Sequence, residues 1–271
     1  MSVCNQKGGT GKTTTSVNLS AALALLGKRV LLVDADPQGN ATSGLGINKN
    51  TIEKSVYDVL LNHATVKEIS IKAEVKNLDV APCNISLTGA EIELVGVLSR
   101  ETRLRRALGE VKDQYDFIFI DTPPSLGLIT LNSLVACDSI VIPIQCEFYA
   151  LEGVSQLLKT INLIREGLNQ NLEIEGVLLT MADFRTNLTN EVINEIKNYF
   201  KNKVYKTVIP RNIKLSEAPS FGKPISVYDR TSIGSKRYEE FAKEFLGEPT
   251  SQKDSQDNTV GQKEASATLS E

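Results

Sequence analysis

Residues 7–14 read Lys7-Gly8-Gly9-Thr10-Gly11-Lys12-Thr13-Thr14. A glycine-rich loop running into Lys-Thr at the start of a helix points backbone N–H groups and a helix N-terminus at phosphate oxygens. The strict G-x-x-x-x-G-K-[ST] pattern is not met, because its first glycine would fall on Gln6. Lys12 and Thr13 still stand where that pattern needs them, the ammonium to reach β- and γ-phosphates and the hydroxyl to face Mg²⁺. A turn that merely caps a helix would explain the glycines but not the Lys-Thr pair.

Outward from this loop, short continuous apolar runs alternate with helical patterns. Val30-Leu31-Leu32-Val33, Phe117-Ile118-Phe119-Ile120, Ile140-Val141-Ile142 and Val177-Leu178-Leu179 read as strands buried on both faces. Val17, Ala21, Ala24 and Leu25 mark the face of one intervening helix, and Leu151, Val154, Leu158 and Ile161 that of another. This β-α-β order predicts an α/β fold with a doubly wound, mostly parallel sheet flanked by helices. The strand that launches the loop can only be Ser2-Val3-Cys4-Asn5, short for a central strand, which leaves the start site of the chain open.

Two of these strands end in acids. Phe117–Ile120 runs into Asp121, the arrangement that holds Mg²⁺, usually through water, in enzymes with such a loop. Val33-Asp34-Ala35-Asp36-Pro37-Gln38-Gly39-Asn40 ends the strand after the loop's helix. A carboxylate there can orient water or metal. Asp36, just past the strand where the chain turns at Pro37, is read as the chemical acid and Asp34 as the one that holds the loop.

With 41% hydrophobic and 23% charged residues over 271, the chain is an ordinary globular composition. It has no apolar stretch of membrane-spanning length and no signal segment, which predicts a cytoplasmic protein. Cys4, Cys83, Cys137 and Cys146 form no C-x-x-C pair and are expected to be reduced, buried thiols. His63, the one histidine, has no partners at metal-ligand spacing. The polar segment 247–271 carries a net charge of −3 and is expected to be a disordered tail following a single domain over 1–246. Residues 185–230 carry a net charge of +5, placing an anionic partner there.

The loop at 7–14, the segment Asp34-Ala35-Asp36-Pro37-Gln38-Gly39-Asn40 and the segment Asp121-Thr122-Pro123-Pro124-Ser125 together resemble the deviant Walker A, A′ and B motifs of the ParA/Soj partition ATPases. Ala90-Glu91-Ile92-Glu93-Leu94, Tyr149-Ala150-Leu151-Glu152-Gly153 and Ile209-Pro210-Arg211-Asn212 fit the same family, and the likeness extends over residues 1–246. The resemblance implies a P-loop ATPase of the deviant Walker A class that binds ATP with Mg²⁺ and dimerises around it. It assigns Lys7 to the neighbouring subunit's phosphates, Lys12 to the chain's own, and Asp36 to hydrolysis. Gly8, Gly9, Thr10, Gly11 and Thr14 complete the nucleotide cradle, Thr13 and Asp121 the Mg²⁺ shell, and Pro210 with Asn212 the adenine site. Thr10 stands where valine is more usual, a change of little consequence if the loop backbone makes the contacts.

The resemblance further implies non-specific double-stranded DNA binding by the ATP-bound homodimer, through Arg185 and Lys214, with release by slow hydrolysis that a ParB-type centromere-binding protein stimulates. Lysines and arginines on phosphates give sequence-independent affinity, suited to a nucleoid-associated protein. Stable membrane association is not expected. A MinD-like division-site regulator shares the loop but would need an amphipathic, Lys-rich C-terminal helix, whereas the tail's large aliphatics are Val260 and Leu269. An iron–sulfur carrier would need cluster cysteines, and a small-molecule ligase would need a second-substrate pocket. With the loop starting at residue 7, no helix-turn-helix module is expected ahead of it.

Overall fold

The computed structural model describes residues 1–148 and 150–248. Residues 249–271 of the expected tail, Tyr149, and the side chain of Glu152 lie outside the described residues. Eight strands form one sheet: β1 (Ser2–Val3), β2 (Val30–Asp34), β3 (Ile71–Lys72), β4 (Leu78–Ala81), β5 (Phe117–Asp121), β6 (Ser139–Gln145), β7 (Glu173–Ala182) and β8 (Val204–Pro210). Their order is β3-β4-β2-β5-β1-β6-β7-β8, parallel throughout except for the antiparallel β3–β4 pair at one edge.

The apolar runs are continuous because each strand feeds two cores. Leu31, Val33, Ile120, Ile140, Ile142 and Leu179 face one layer of helices, while Val30, Leu32, Phe119, Val141 and Leu178 face the other. Successive side chains on a strand point to opposite faces, so a strand covered on both sides is apolar at consecutive positions, and buried polar residues such as Ser2, Asp34, Asp121 and Thr180 stand at or near strand ends. Each fully buried leucine or phenylalanine contributes roughly 1.5–3 kcal/mol.

Three strands were not legible as apolar runs. In β4 a half-buried Asp79, bonded to the Tyr115 hydroxyl at 2.9 Å, interrupts the pattern. β8 carries the exposed Lys206 because it forms the sheet's far edge, and β3 is an exposed two-residue edge strand. The launching strand is also shorter than Ser2–Asn5. β1 holds only Ser2 and Val3, but it is paired on both sides, to β5 and to β6. Cys4 N–H still donates to the Val141 carbonyl (3.1 Å), and Asn5 has already turned into the loop, its Nδ2 donating to the Pro143 carbonyl (2.8 Å).

Helix α1 (Lys12–Leu25) leaves the loop and packs on the sheet through Val17, Ala21 and Ala24, all buried. Leu25, expected on that face, is 58% exposed because it lies on the rim of the stripe in the helix's last turn. On the opposite layer, helix Ala150–Gly167 buries Val154 and Ile161, with Leu151 and Leu158 partly covered. All four cysteines are buried free thiols, and His63 is exposed.

Candidate nucleotide site

The loop lies beyond the carboxyl end of β1, between strands that lead the chain to opposite sides of the sheet, the crevice where open α/β sheets bind ligands. Gly11 caps α1 at φ +87°, in the left-handed region that favours glycine. The loop is fixed from three directions. Asn5 Oδ1 accepts from the Lys7 N–H (3.0 Å), Thr180 Oγ1 donates to the Thr10 carbonyl (2.8 Å), and Thr10 Oγ1 leans on the Lys7 carbonyl (3.4 Å). Thr10 is therefore buried and held through its backbone.

The two lysines of the loop go separate ways. Lys12, 7% exposed, folds back over the loop and donates from Nζ to the Lys7 carbonyl (3.1 Å). Burial pulls its pKa down, and the neighbouring Asp121 carboxylate opposes that shift. Lys7 is more open, and its Nζ pairs with Glu147 Oε2 at 3.0 Å. Glu147 also receives a bond from the Gln145 side-chain amide.

Asp34 and Asp121 are register partners on adjacent strands, both fully buried. Burial raises the pKa of each; the Asp34 carboxylate pushes Asp121 further up, and the Asp36 carboxylate does the same to Asp34. Their surroundings differ. Asp34 is saturated: Oδ2 accepts from the Thr42 N–H and hydroxyl (both 2.7 Å) and Oδ1 from the Asp36 N–H (3.2 Å). Asp121 Oδ1 accepts from Ser16 Oγ (2.8 Å), whereas Oδ2 is buried with no partner. Hydrogen bonding from Thr13 and Ser16 offsets its raised pKa only in part.

A buried, unpartnered carboxylate oxygen beside the Thr13 hydroxyl fits a hard cation with oxygen ligands. Among the described residues no cluster of three or more His, Cys, Asp or Glu could hold a metal. A Mg²⁺ here would therefore complete its shell with phosphate oxygens and water, as is usual for that ion. Asp36 is 7% exposed; its Oδ1 accepts from the Gln38 N–H (2.9 Å), and its other oxygen has no protein partner among the described residues.

On the other side of the loop a cavity of about 440 Å³ is lined by Gly11, Thr14, Met181, Pro210, Asn212 and Tyr238, among others. That volume is in the range of small-ligand pockets. Pro210 ends β8, and Asn212 caps the next helix, its Oδ1 accepting from the Leu215 N–H (3.3 Å), which leaves the amide NH₂ for a ligand. The structure thus gathers Lys12, Thr13, Asp36 and Asp121 around one end of the loop, and Thr14, Pro210 and Asn212 around the cavity.

Arg185 and Lys214 are exposed and do not themselves line the cavity, and both are paired. Arg185 is bidentate to Asp183 (2.8 and 2.6 Å). Lys214 pairs with Glu217 (2.8 Å) and sits 5.8 Å from the Tyr228 ring centre. Among the described residues Lys197, Lys201, Lys203 and Lys206 are exposed and carry no ion pair.

Sequence reasoning missed Ser16, Thr42, Thr180 and Glu147. Ser16 was open to discovery, one helical turn beyond Lys12 on the same face. The other three act across turns of chain that no local pattern encodes.

Residues 1–174 match the family model described as an AAA domain. The chain is 64% identical over 244 residues to the sporulation initiation inhibitor protein Soj of Bacillus subtilis, covering 90% of this chain and 96% of that protein. It is 52% identical over 248 residues to the chromosome partitioning protein ParA of Myxococcus xanthus, covering 92% and 88%. Among solved structures, cobyrinic acid a,c-diamide synthase from Mycobacterium smegmatis with bound ATP analog and magnesium superposes with a TM-score of 0.80 at 37% identity, over 90% of this chain and 93% of that one. The cell division ATPase MinD of Pyrococcus furiosus superposes with a TM-score of 0.74 at 25% identity, over 91% and 97%.

Proposed function

The chain belongs to the ParA/Soj family of chromosome-partitioning ATPases, and from that premise we propose that it is an ATP-operated switch: ATP assembles a sandwich dimer that holds non-specific DNA, and hydrolysis releases it. The observation that carries this reading is the division of labour in the loop. Lys12 is buried over its own phosphate cradle, while Lys7 reaches out to Glu147 on the loop's open flank. A second lysine in that position serves a single subunit poorly and a facing subunit well.

In this reading the loop N–H groups and the start of α1 bind the phosphates, and Lys12 neutralises charge that develops on them. Thr13 and Asp121 would hold Mg²⁺, which when bound supplies electrostatic neutralisation of the β- and γ-phosphate oxygens. Asp34 spends its hydrogen bonds on the loop's architecture, so Asp36, with one oxygen open, orients the attacking water. Pro210 packs on the adenine and the Asn212 amide reads its edge. Hydrolysis is slow until a ParB-type centromere-binding protein accelerates it.

The basic surface over 185–230 supplies DNA affinity through phosphate contacts. The diamide synthase likeness, at 37% identity, is weaker than the 64% and 52% matches to partition proteins, which favours a switch over a ligase.

The test is co-sedimentation on arbitrary duplex DNA with ATP, ADP or no nucleotide. Wild type is expected to bind with ATP only; Asp36→Ala stays bound without turnover, and Lys12→Ala and Arg185→Glu fail. Binding that ignores the nucleotide, or no binding at low salt, overturns the proposal.

A further inference from the structure

Asp36 opens a tight turn whose apex carbonyl, that of Gln38, is held by a side chain from a separate loop. The turn Asp36-Pro37-Gln38-Gly39 is closed by the Gly39 N–H donating to the Asp36 carbonyl (2.8 Å) and by the Gln38 N–H on Asp36 Oδ1. From outside, its ends are held by the Asp36 N–H on Asp34 Oδ1 (3.2 Å) and by the Ser43 N–H (3.1 Å) and hydroxyl (3.0 Å) on the Gly39 carbonyl, and its apex by Lys49, whose Nζ donates to the Gln38 carbonyl at 2.6 Å. An ammonium on a carbonyl is a charge-assisted bond, stronger than its neutral counterpart.

Lys49 is itself presented by a built turn. Asn48 Oδ1 accepts from the Asn50 N–H (3.1 Å), and the Asn48 carbonyl accepts from the Thr51 N–H (3.1 Å) and hydroxyl (3.0 Å). The lysine stem then lies along Gly39. A Cβ placed at Gly39 would come within 2.9 Å of the Cys83 carbonyl on one side and 3.1 Å of Lys49 Cδ on the other. Gly39 also has φ +61°, so the backbone there is both left-handed and sandwiched. The sandwich is closed beneath by Thr42, whose hydroxyl accepts from the Cys83 N–H (2.9 Å) and donates to Asp34.

We infer that Lys49 is a positioning residue for hydrolysis: its bond to the Gln38 carbonyl holds the Asp36–Gly39 turn against the Cys83 backbone and so sets where the Asp36 carboxylate stands. This rests on the assignment of Asp36 to hydrolysis above. Lys49 lines a separate polar cleft of about 280 Å³ with Pro37, Gln38, Asn50, Asn84 and Ser86, not the 440 Å³ cavity. It therefore acts on the reaction without contributing to nucleotide binding. Because the bond is at the surface, its loss leaves the Gln38 carbonyl solvated and costs the fold little.

The experiment measures single-turnover ATP hydrolysis and fluorescent-ATP affinity on the full chain for wild type, Lys49→Met, Lys49→Arg and Asp36→Ala. Lys49→Met is expected to slow hydrolysis at saturating ATP roughly 10- to 100-fold, the scale of a small displacement of a reacting group, with affinity unchanged. Lys49→Arg, which keeps a cationic donor, restores most of the rate. Wild-type turnover in Lys49→Met, a parallel loss of affinity, or no rescue by arginine overturns the inference. Wild-type turnover in Asp36→Ala instead removes the premise, so the two failures are told apart.

Discussion

The carboxylate ends of β2 and β5 and the basic surface over 185–230 use charge in opposite ways. At the strand ends, Asp34 and Asp121 are fully buried side by side, at a cost in desolvation that shows in their raised pKa values. On the basic surface, Arg185 and Lys214 sit in water, each neutralised by an acid within three residues. Buried charge is fixed in place and tied to the fold, whereas surface charge is easily exchanged and depends on salt. The candidate nucleotide site should therefore respond to substitution in an all-or-none way and the proposed DNA-binding surface by degrees.

The contrast breaks first at Lys12. Lys12→Ala is expected to lower phosphate release about 100- to 1,000-fold, the range seen when one preorganised electrostatic group is removed. A loss below tenfold would place the charge stabilisation elsewhere.

Thr42→Val probes the structural acid. It removes the hydroxyl donor to Asp34 Oδ2, leaving only the residue-42 N–H there, and strands the Cys83 N–H without an acceptor, and should destabilise the fold by about 1–3 kcal/mol in urea unfolding. An unchanged midpoint would mean that Asp34 is not anchored through Thr42.

Asp121 gives the contrast a pH dependence. Its folded pKa is raised, so between the ordinary carboxylate range and the raised value the native state keeps a proton that the unfolded state has lost. Stability of the nucleotide-free protein must then fall as pH rises through that window, by at most about 1.4 kcal/mol per pH unit for this group. Melting temperatures at pH 6 and pH 8 should show the drop, and Asp121→Asn should flatten it. A rise from pH 6 to pH 8 would contradict the assignment.

The smallest effect is expected at Asp183. Asp183→Asn frees Arg185 from its bidentate partner and should tighten duplex DNA binding modestly, steepening the dependence of log affinity on log salt by up to about one. Lys201→Glu and Lys203→Glu should lower affinity uniformly across sequences. If they do nothing, these lysines are no part of the proposed DNA-binding surface.

How far the sequence could be read follows the same divide. The glycine-rich loop at the start of α1, the acids at the ends of β2 and β5, and the strands buried on both faces were legible, because each is encoded in consecutive residues. β4 and β8 were not, since a half-buried Asp79 and an edge Lys206 break the apolar run. The restraints on the site were also hidden. Lys7 meets Glu147 140 residues away, and Thr180 anchors Thr10 across 170; only the assembled sheet brings those residues together. Charge counts located the basic region but could not show that Arg185 and Lys214 are already paired within the chain.

The register Asp34↔Asp121 ties folding to chemistry in one further way. If β2 slid by one residue against β5, every side chain on it would change faces, and the two acids would no longer stand level at the crevice. Nucleotide and cation held as proposed would bind tightly only to a sheet paired in this register, and a ligand that binds one state alone shifts the population toward it. ATP would then act as a proofreader of assembly, rewarding correctly aligned chains before any of them has turned over.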